Sequence, residues 1–255
     1  MSYQQFRKVI SLPPDPPRIN NINYICIKYC PKALDHLKIS FLNKNDIKTL
    51  SNNKIETIRS RKIVLQRITG VDSKRRIIAS ILTKGFLCAN STNVLLEKDC
   101  EISLETTLGI LNSELINFYF KQTSTNTNVT TGEINKIPFP KIEYNQDYLG
   151  GTIVKYLCEL SKRKERDLLF LFFENLIFTI VYELYFPEEI KAAGKEILKY
   201  LGDLKPINDE MSEEEKLAII QSEFERLYDP NHPVRFAIET LDSVEEVRII
   251  KEALK

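Results

Sequence analysis

Between Leu104 and Lys121 the apolar residues recur at helical spacing. Leu104, Leu108, Leu111, Leu115 and Phe118 form one stripe, with Tyr119 and Phe120 beside it, which predicts a buried helix. The next stretch, Gln122 to Gly132, is nearly all Thr, Asn and Ser, and predicts a mobile polar loop with no core of its own. Ile137-Pro138-Phe139-Pro140 then stops regular structure with two prolines around an aromatic anchor. This run therefore reads as a helix presenting a hydrogen-bonding loop.

Upstream the period changes to two. Ile22 to Tyr29 alternates as a half-buried strand does. Lys32 to Leu42 is ambiguous, and Asp46 to Ile58 predicts a short helix. In Lys62 to Thr69, Ile63 and Leu65 fall on one face and Val64, Gln66 and Ile68 on the other. Gly70 to Ser73 reads as a turn and Arg75 to Thr83 as the returning strand of a hairpin. Phe86 to Ala89 and Val94 to Leu96 predict two more strands around Asn90-Ser91-Thr92-Asn93.

Downstream the chain reads as helical. Asp147 to Arg166 is one helix. Leu168 to Phe186 is apolar nearly all round but interrupted by Glu174, Asn175 and Glu183, which suits the centre of a bundle better than a membrane span. Pro187 suits a helix start. Ser212 caps a helix over Lys216 to Tyr228, and Asp229 to Pro233 breaks it. Ser243 to Leu254 is a last amphipathic helix. The expected fold is α+β: a Pro-rich extended leader over residues 1–20, a mixed α/β domain over 21–142 and a helical bundle over 143–255.

The net charge of +1 conceals an asymmetry. Residues 1–142 carry 21 basic and 11 acidic side chains, about +10, and the remainder carries 15 and 24, about −9. The basic excess concentrates in and around the hairpin, at Arg59, Arg61, Lys62, Arg67, Lys74, Arg75 and Arg76, with the Gln66 amide among them. Guanidinium and ammonium groups spaced along a hairpin can lie along phosphates, which makes these residues candidates for DNA contact. The alternative is a solvated hairpin with snorkelling side chains. The loop at Asn90, Ser91 and Asn93 offers amides able to pair with adenine, or simply turn chemistry.

Several chemistries lack their residues. The eight glycines include no G-x-G, there is no P-loop, and the two histidines support no Ser/His/Asp arrangement. Pro13-Pro14 has neither the preceding Asn or Asp nor the following aromatic of an amino-methyltransferase motif. The five scattered cysteines match no zinc spacing and read as thiols in a reducing cytoplasm. Residues 1–10 show no signal-peptide apolar region.

The order of motifs resembles a known family. KIVLQRITG, GFLCANSTNVLLE, LGILNSELINFYF, a polar loop and INKIPFPKI resemble the TaqI-like C-terminal specificity domain of adenine-specific DNA methyltransferases and restriction–modification enzymes, with type I specificity subunits as distant relatives. FFENLIFTIVYELYFPEEIKAAGKEI resembles the helical tail that follows it. The resemblance implies recognition of double-stranded DNA for an adenine-N6 system, with Thr123, Ser124, Thr125, Asn126, Thr127 and Asn128 approaching the duplex. It also implies a separate methyltransferase or restriction subunit that binds S-adenosylmethionine and docks on the helical half. The missing motifs lead to the expectation of no cofactor, metal or catalytic residue in this chain, and the interrupted apolar segment to that of no membrane. Asn112 and Ser113 look like packing and helix-to-sheet hydrogen bonding rather than a site. Two alternatives remain: a protein-only adaptor that works through its acidic helical half, and a DNA-modifying enzyme whose site the sequence does not display.

Overall fold

Five residues, Lys62–Gln66, with the β-branched Ile63 and Val64 among them, form an inner strand of the sheet. The computed structural model of the chain describes residues 23–24, 50–69, 75–86, 88, 92–163 and 166–255. Within them the sheet has four strands: β1 (Asn23–Tyr24), β2 (Lys62–Gln66), β3 (Ala79–Leu82) and β4 (Thr92–Leu96). Their spatial order is β1-β4-β2-β3 and every pairing is antiparallel, with Ile63 opposite Ile81 on one side and Leu95 on the other.

The alternation expected for β2 is present, but neither face is wet. Ile63 and Leu65 enter the main core, while Val64 packs with Cys88, Val94 and Leu96 in a second, smaller cluster. A strand covered on both sides reads as a continuous apolar run. Of the strand expected over Ile22 to Tyr29, Asn23–Tyr24 is seen as β1 and the rest lies outside the described residues, as do the leader, Lys32 to Leu42, the turn at Gly70 to Ser73 and, of the strand expected over Phe86 to Ala89, Leu87 and Ala89; Phe86 and Cys88 are described and lie in no strand. The predicted helix from Asp46 appears as α1 (Asn52–Arg59).

The helix expected over Leu104 to Lys121 is two helices, α2 (Leu104–Asn112) and α3 (Glu114–Thr123). The joint is Ser113, in extended conformation at ψ 156°. Its hydroxyl accepts from the Ile116 N–H at 3.2 Å, so it caps α3 instead of continuing α2. The bend brings two amides to the outer strand β3. Asn112 Oδ1 accepts from the Ala79 N–H at 2.9 Å and Asn112 Nδ2 donates to the Ala79 carbonyl at 3.0 Å. Asn117 Oδ1 accepts from the Ile77 N–H at 2.8 Å. The helix-to-sheet role expected of Asn112 is thus observed.

Behind α2 lie α5 (Tyr144–Ser161) and α6 (Leu168–Tyr185). Eight of the nine residues of α2 are buried, so it packs between sheet and bundle. Gly109 permits this: a Cβ there would sit 2.9 Å from both Ile177 and Val154. Asp147 of α5 accepts from the Ser103 hydroxyl at 2.6 Å and the Ser103 N–H at 3.0 Å, tying the start of α2 to α5. Around α6 pack α7 (Pro187–Ala192), α8 (Glu213–Leu227) and α9 (Pro233–Glu239), and α10 (Glu245–Ala253) lies on α3. Ser212 caps α8 through a reciprocal box with Glu215, as its pattern predicts. The break expected over Asp229 to Pro233 is present, and α9, which the sequence reading did not assign, starts at Pro233 in the N1 position. α6 has the length and hydropathy of a membrane span, but 61% of it is buried in this bundle. One continuous core runs from Ile63 to Ile250 across the boundary expected at Ile142. The architecture is α+β.

Candidate nucleic-acid interface

The polar stretch after α3 is laid down as a strap on the end of the sheet. Beyond Gln66, the Val129 N–H donates to the Arg67 carbonyl at 2.7 Å and the Thr69 N–H to the Thr127 carbonyl at 3.4 Å, with Ile68 opposite Asn128. Val129, the one aliphatic residue of the segment, is fully buried. The strap then runs into α4 (Thr131–Ile134), whose N-cap Thr130 and Glu133 form a capping box. The expectation of a mobile loop is corrected here: Val129 supplies the anchor that Thr and Asn alone lack, and the backbone of Arg67 to Thr69, beyond the end of β2, supplies the pairing.

Two charged side chains fix the strap. Glu133 accepts from the Ser124 hydroxyl at 2.6 Å, the Asn126 amide at 3.1 Å, the Thr130 hydroxyl at 2.7 Å and the Thr130 N–H at 2.9 Å. Burial alone would raise its pKa, but these donors outweigh it and hold the carboxyl below the usual value. Arg76 lies beneath, 1% exposed, bonded to the Asn126 carbonyl and to the Thr69 hydroxyl at 3.3 Å. Its guanidinium is 5.5 Å from the Phe120 ring centre.

The expected basic cluster divides between the two ends of β2, roughly 13 Å apart at 3.3 Å per residue. At the start of the strand, Arg59 is exposed at the end of α1. Arg61 bridges Glu97 at 2.5 Å and the buried Glu105. Burial works against its charge, yet the two carboxylates prevail and its pKa is raised. Lys62 is fully buried and donates to the carbonyls of Thr57 at 2.6 Å and Ser60 at 3.0 Å, closing the end of α1. Burial lowers its pKa below the ordinary 10.5. At the far end, beside the strap, sit Gln66, Arg67 and Arg75. Arg75 is half exposed and pairs with Glu174 of α6 at 3.3 Å, and Glu174 also holds Arg166.

Three nominated residues therefore face inward. Lys62 and Arg76 are structural cations whose length lets them reach carbonyls inside the fold. Asn93 is buried, donating to the Val129 carbonyl at 2.8 Å and accepting from the Thr131 hydroxyl at 3.3 Å. Thr123 is exposed but gives its hydroxyl to the Tyr119 carbonyl at 2.9 Å. Thr125, Asn126 and Asn128 are exposed on the strap. Lys74, Asn90 and Ser91 lie outside the described residues. Sequence reasoning missed Glu133, although Thr130-Thr131-Gly132-Glu133 spells a capping box. It also missed Ile68 as a surface group. It is 59% exposed amid polar neighbours.

The surface that results is a rigid polar strap edged by arginines, with amides and hydroxyls presented to solvent. Such a surface can donate and accept in fixed directions along base edges while its cations meet phosphates. Residues 21–139 match the family model of the TaqI-like C-terminal specificity domain, so the resemblance seen in the sequence is borne out over that segment. No curated protein and no solved structure matches the chain.

Proposed function

We propose, taking residues 21–139 as a TaqI-like C-terminal specificity domain, that this chain recognises a DNA sequence within a restriction–modification system. The observation that carries the reading is the strap: a nearly uncharged run of Thr, Ser and Asn held rigidly between Arg76 and Glu133 on the end of a sheet. Loops on rigid supports are where recognition groups are placed. Arg67 and Arg75 flank it as phosphate contacts that set register, and the amides of the strap read base edges.

The finer reading is an adenine-N6 system. A separate catalytic subunit binds S-adenosylmethionine and flips the target adenine. It docks on the acidic helical half. This chain contributes specificity without turnover, in the cytoplasm.

Fluorescence anisotropy with duplex DNA across a salt series tests the reading, with and without a candidate methyltransferase subunit. Arg67→Gln with Arg75→Gln removes two phosphate contacts, so the slope of log K against log salt falls by roughly two. Absence of duplex binding by the wild type, with the subunit present, overturns the proposal.

A further inference from the structure

We infer that Ile68 and Asn128 together read one A·T base pair in the major groove, the Asn128 amide bonding adenine at N6 and N7 and Ile68 packing on the thymine methyl. The inference rests on the DNA-recognition reading above and names the base pair which that site selects.

The backbone places the two side chains together. The bonds from Val129 N–H to the Arg67 carbonyl and from Thr69 N–H to the Thr127 carbonyl flank the pair on either side. Ile68 and Asn128 are thus the non-hydrogen-bonded pair of an antiparallel ladder, the kind whose Cα atoms stand about 4.5 Å apart with both side chains on one face. On the opposite face Val129 is fully buried. The Ile68 and Asn128 face is presented outward.

Both groups are available. Ile68 is 59% exposed, and the exposed Asn128 amide makes no side-chain hydrogen bond to any described residue. Their support is fixed beforehand. Gln66 Nε2 donates to the Ile68 carbonyl at 2.7 Å, and Arg76 and Glu133 hold Asn126 two residues from Asn128. A contact built on a fixed ladder loses little ordering entropy when it binds.

The chemistry selects the base pair. An amide carries one donor and one acceptor, the complement of the adenine N7 acceptor and N6 donor. A branched aliphatic group beside it has one complement on an unmodified major-groove edge, the thymine C5 methyl. Guanine presents two acceptors there, which leaves the amide half satisfied, and cytosine offers no methyl. Among the described residues the exposed isoleucine is surrounded by Gln66, Thr127 and Asn128, which suits a polar groove better than an apolar partner surface.

The test uses the full chain and duplexes enriched by it from a random pool. Each thymine of the enriched site is replaced in turn by uracil, which removes only the methyl. At one position the wild type loses affinity by about fourfold, the value of one buried methyl group, and Ile68→Ala shows no difference between thymine and uracil there. Asn128→Ala lowers affinity roughly 5- to 150-fold and abolishes the adenine preference at the same pair. Replacing that adenine by 7-deazaadenine weakens the wild type and leaves Asn128→Ala unchanged. Both substitutions are at exposed positions, so unchanged melting separates a lost contact from a lost fold. An enriched site with no uracil-sensitive thymine, or one whose sensitivity survives Ile68→Ala, overturns the inference and leaves DNA recognition standing. Failure to enrich any sequence, with the candidate methyltransferase subunit present, overturns both.

Discussion

Replacing Arg76 by methionine separates support of the reading surface from contact with DNA. Methionine keeps most of the buried stem and removes the guanidinium with its bonds to the Asn126 carbonyl and the Thr69 hydroxyl. A charge-assisted hydrogen bond contributes roughly 1.5–3 kcal/mol, and a desolvated cation over an aromatic ring contributes about 1–2 kcal/mol more. Asn126 is exposed, so water recovers part of the loss at its carbonyl. The expected cost is about 2–3 kcal/mol of strap stability. Hydrogen exchange followed by mass spectrometry reads it locally: the amides of Thr69 and Val129, which pair strap to sheet, exchange roughly 30- to 150-fold faster at that cost, while those of α5 and α6 keep their rates. In the anisotropy assay Arg76→Met weakens binding to duplex, yet its salt slope equals that of the wild type, because a residue 1% exposed releases no counterion. Unchanged exchange at Thr69 and Val129 would refute the assigned role of Arg76 in holding the strap. A slope reduced by about one would show that Arg76 reaches a phosphate after all.

Other substitutions probe neighbouring parts of the same argument. Gly109→Ala places a methyl 2.9 Å from Ile177 and Val154 and is expected to cost about 1–3 kcal/mol in urea denaturation; an unchanged midpoint would mean that α2, α5 and α6 have slack at their crossing. Asn112→Ala strips both partners from the Ala79 peptide and is expected to destabilise by about 1–3 kcal/mol, whereas Ser80, paired toward β2, tolerates alanine within about 0.5 kcal/mol. Glu133 has a pKa held below its usual 4.5, so its contribution is present above that value and is lost as pH falls through the lower, folded-state pKa. The protection of the Val129 amide, its exchange rate relative to the intrinsic rate at the same pH, should fall over that acid range in the wild type, and Glu133→Gln should show the lower protection already at pH 7 with little further change.

Much of the fold was legible because its signals are local. The apolar stripe of α2, the all-apolar α6, the Ser212 cap and the paired strands each lie within a short window of sequence. Asn112 was legible too, as a polar residue at the end of a buried stripe. Ser113 misled, because a serine in a periodic helix pattern reads as tolerated until its side chain is seen capping the next helix. The candidate site was legible in outline and less so in detail, because its assignments depend on long-range contacts. Charge counting cannot tell Arg75, which is half exposed, from Arg76, which is buried, although they adjoin. Nor can composition show that a Thr/Asn run is held by an arginine 50 residues upstream.

The amides of Asn112 and Asn117 carry one more consequence. β3 ends the sheet, and an outer strand with unpaired backbone groups is a template for strand addition by another chain. Here the outward N–H groups of Ile77 and Ala79, and the Ala79 carbonyl, are already occupied by side chains of the same molecule. Natural sheets often guard such borders with charge, proline or a bulge, devices that repel or distort. This one is guarded by imitation: two side-chain amides stand where the peptide groups of an incoming strand would bond. The protein thereby discourages this border of its sheet from recruiting another strand, with neutral amides standing in for the peptide groups of a neighbour.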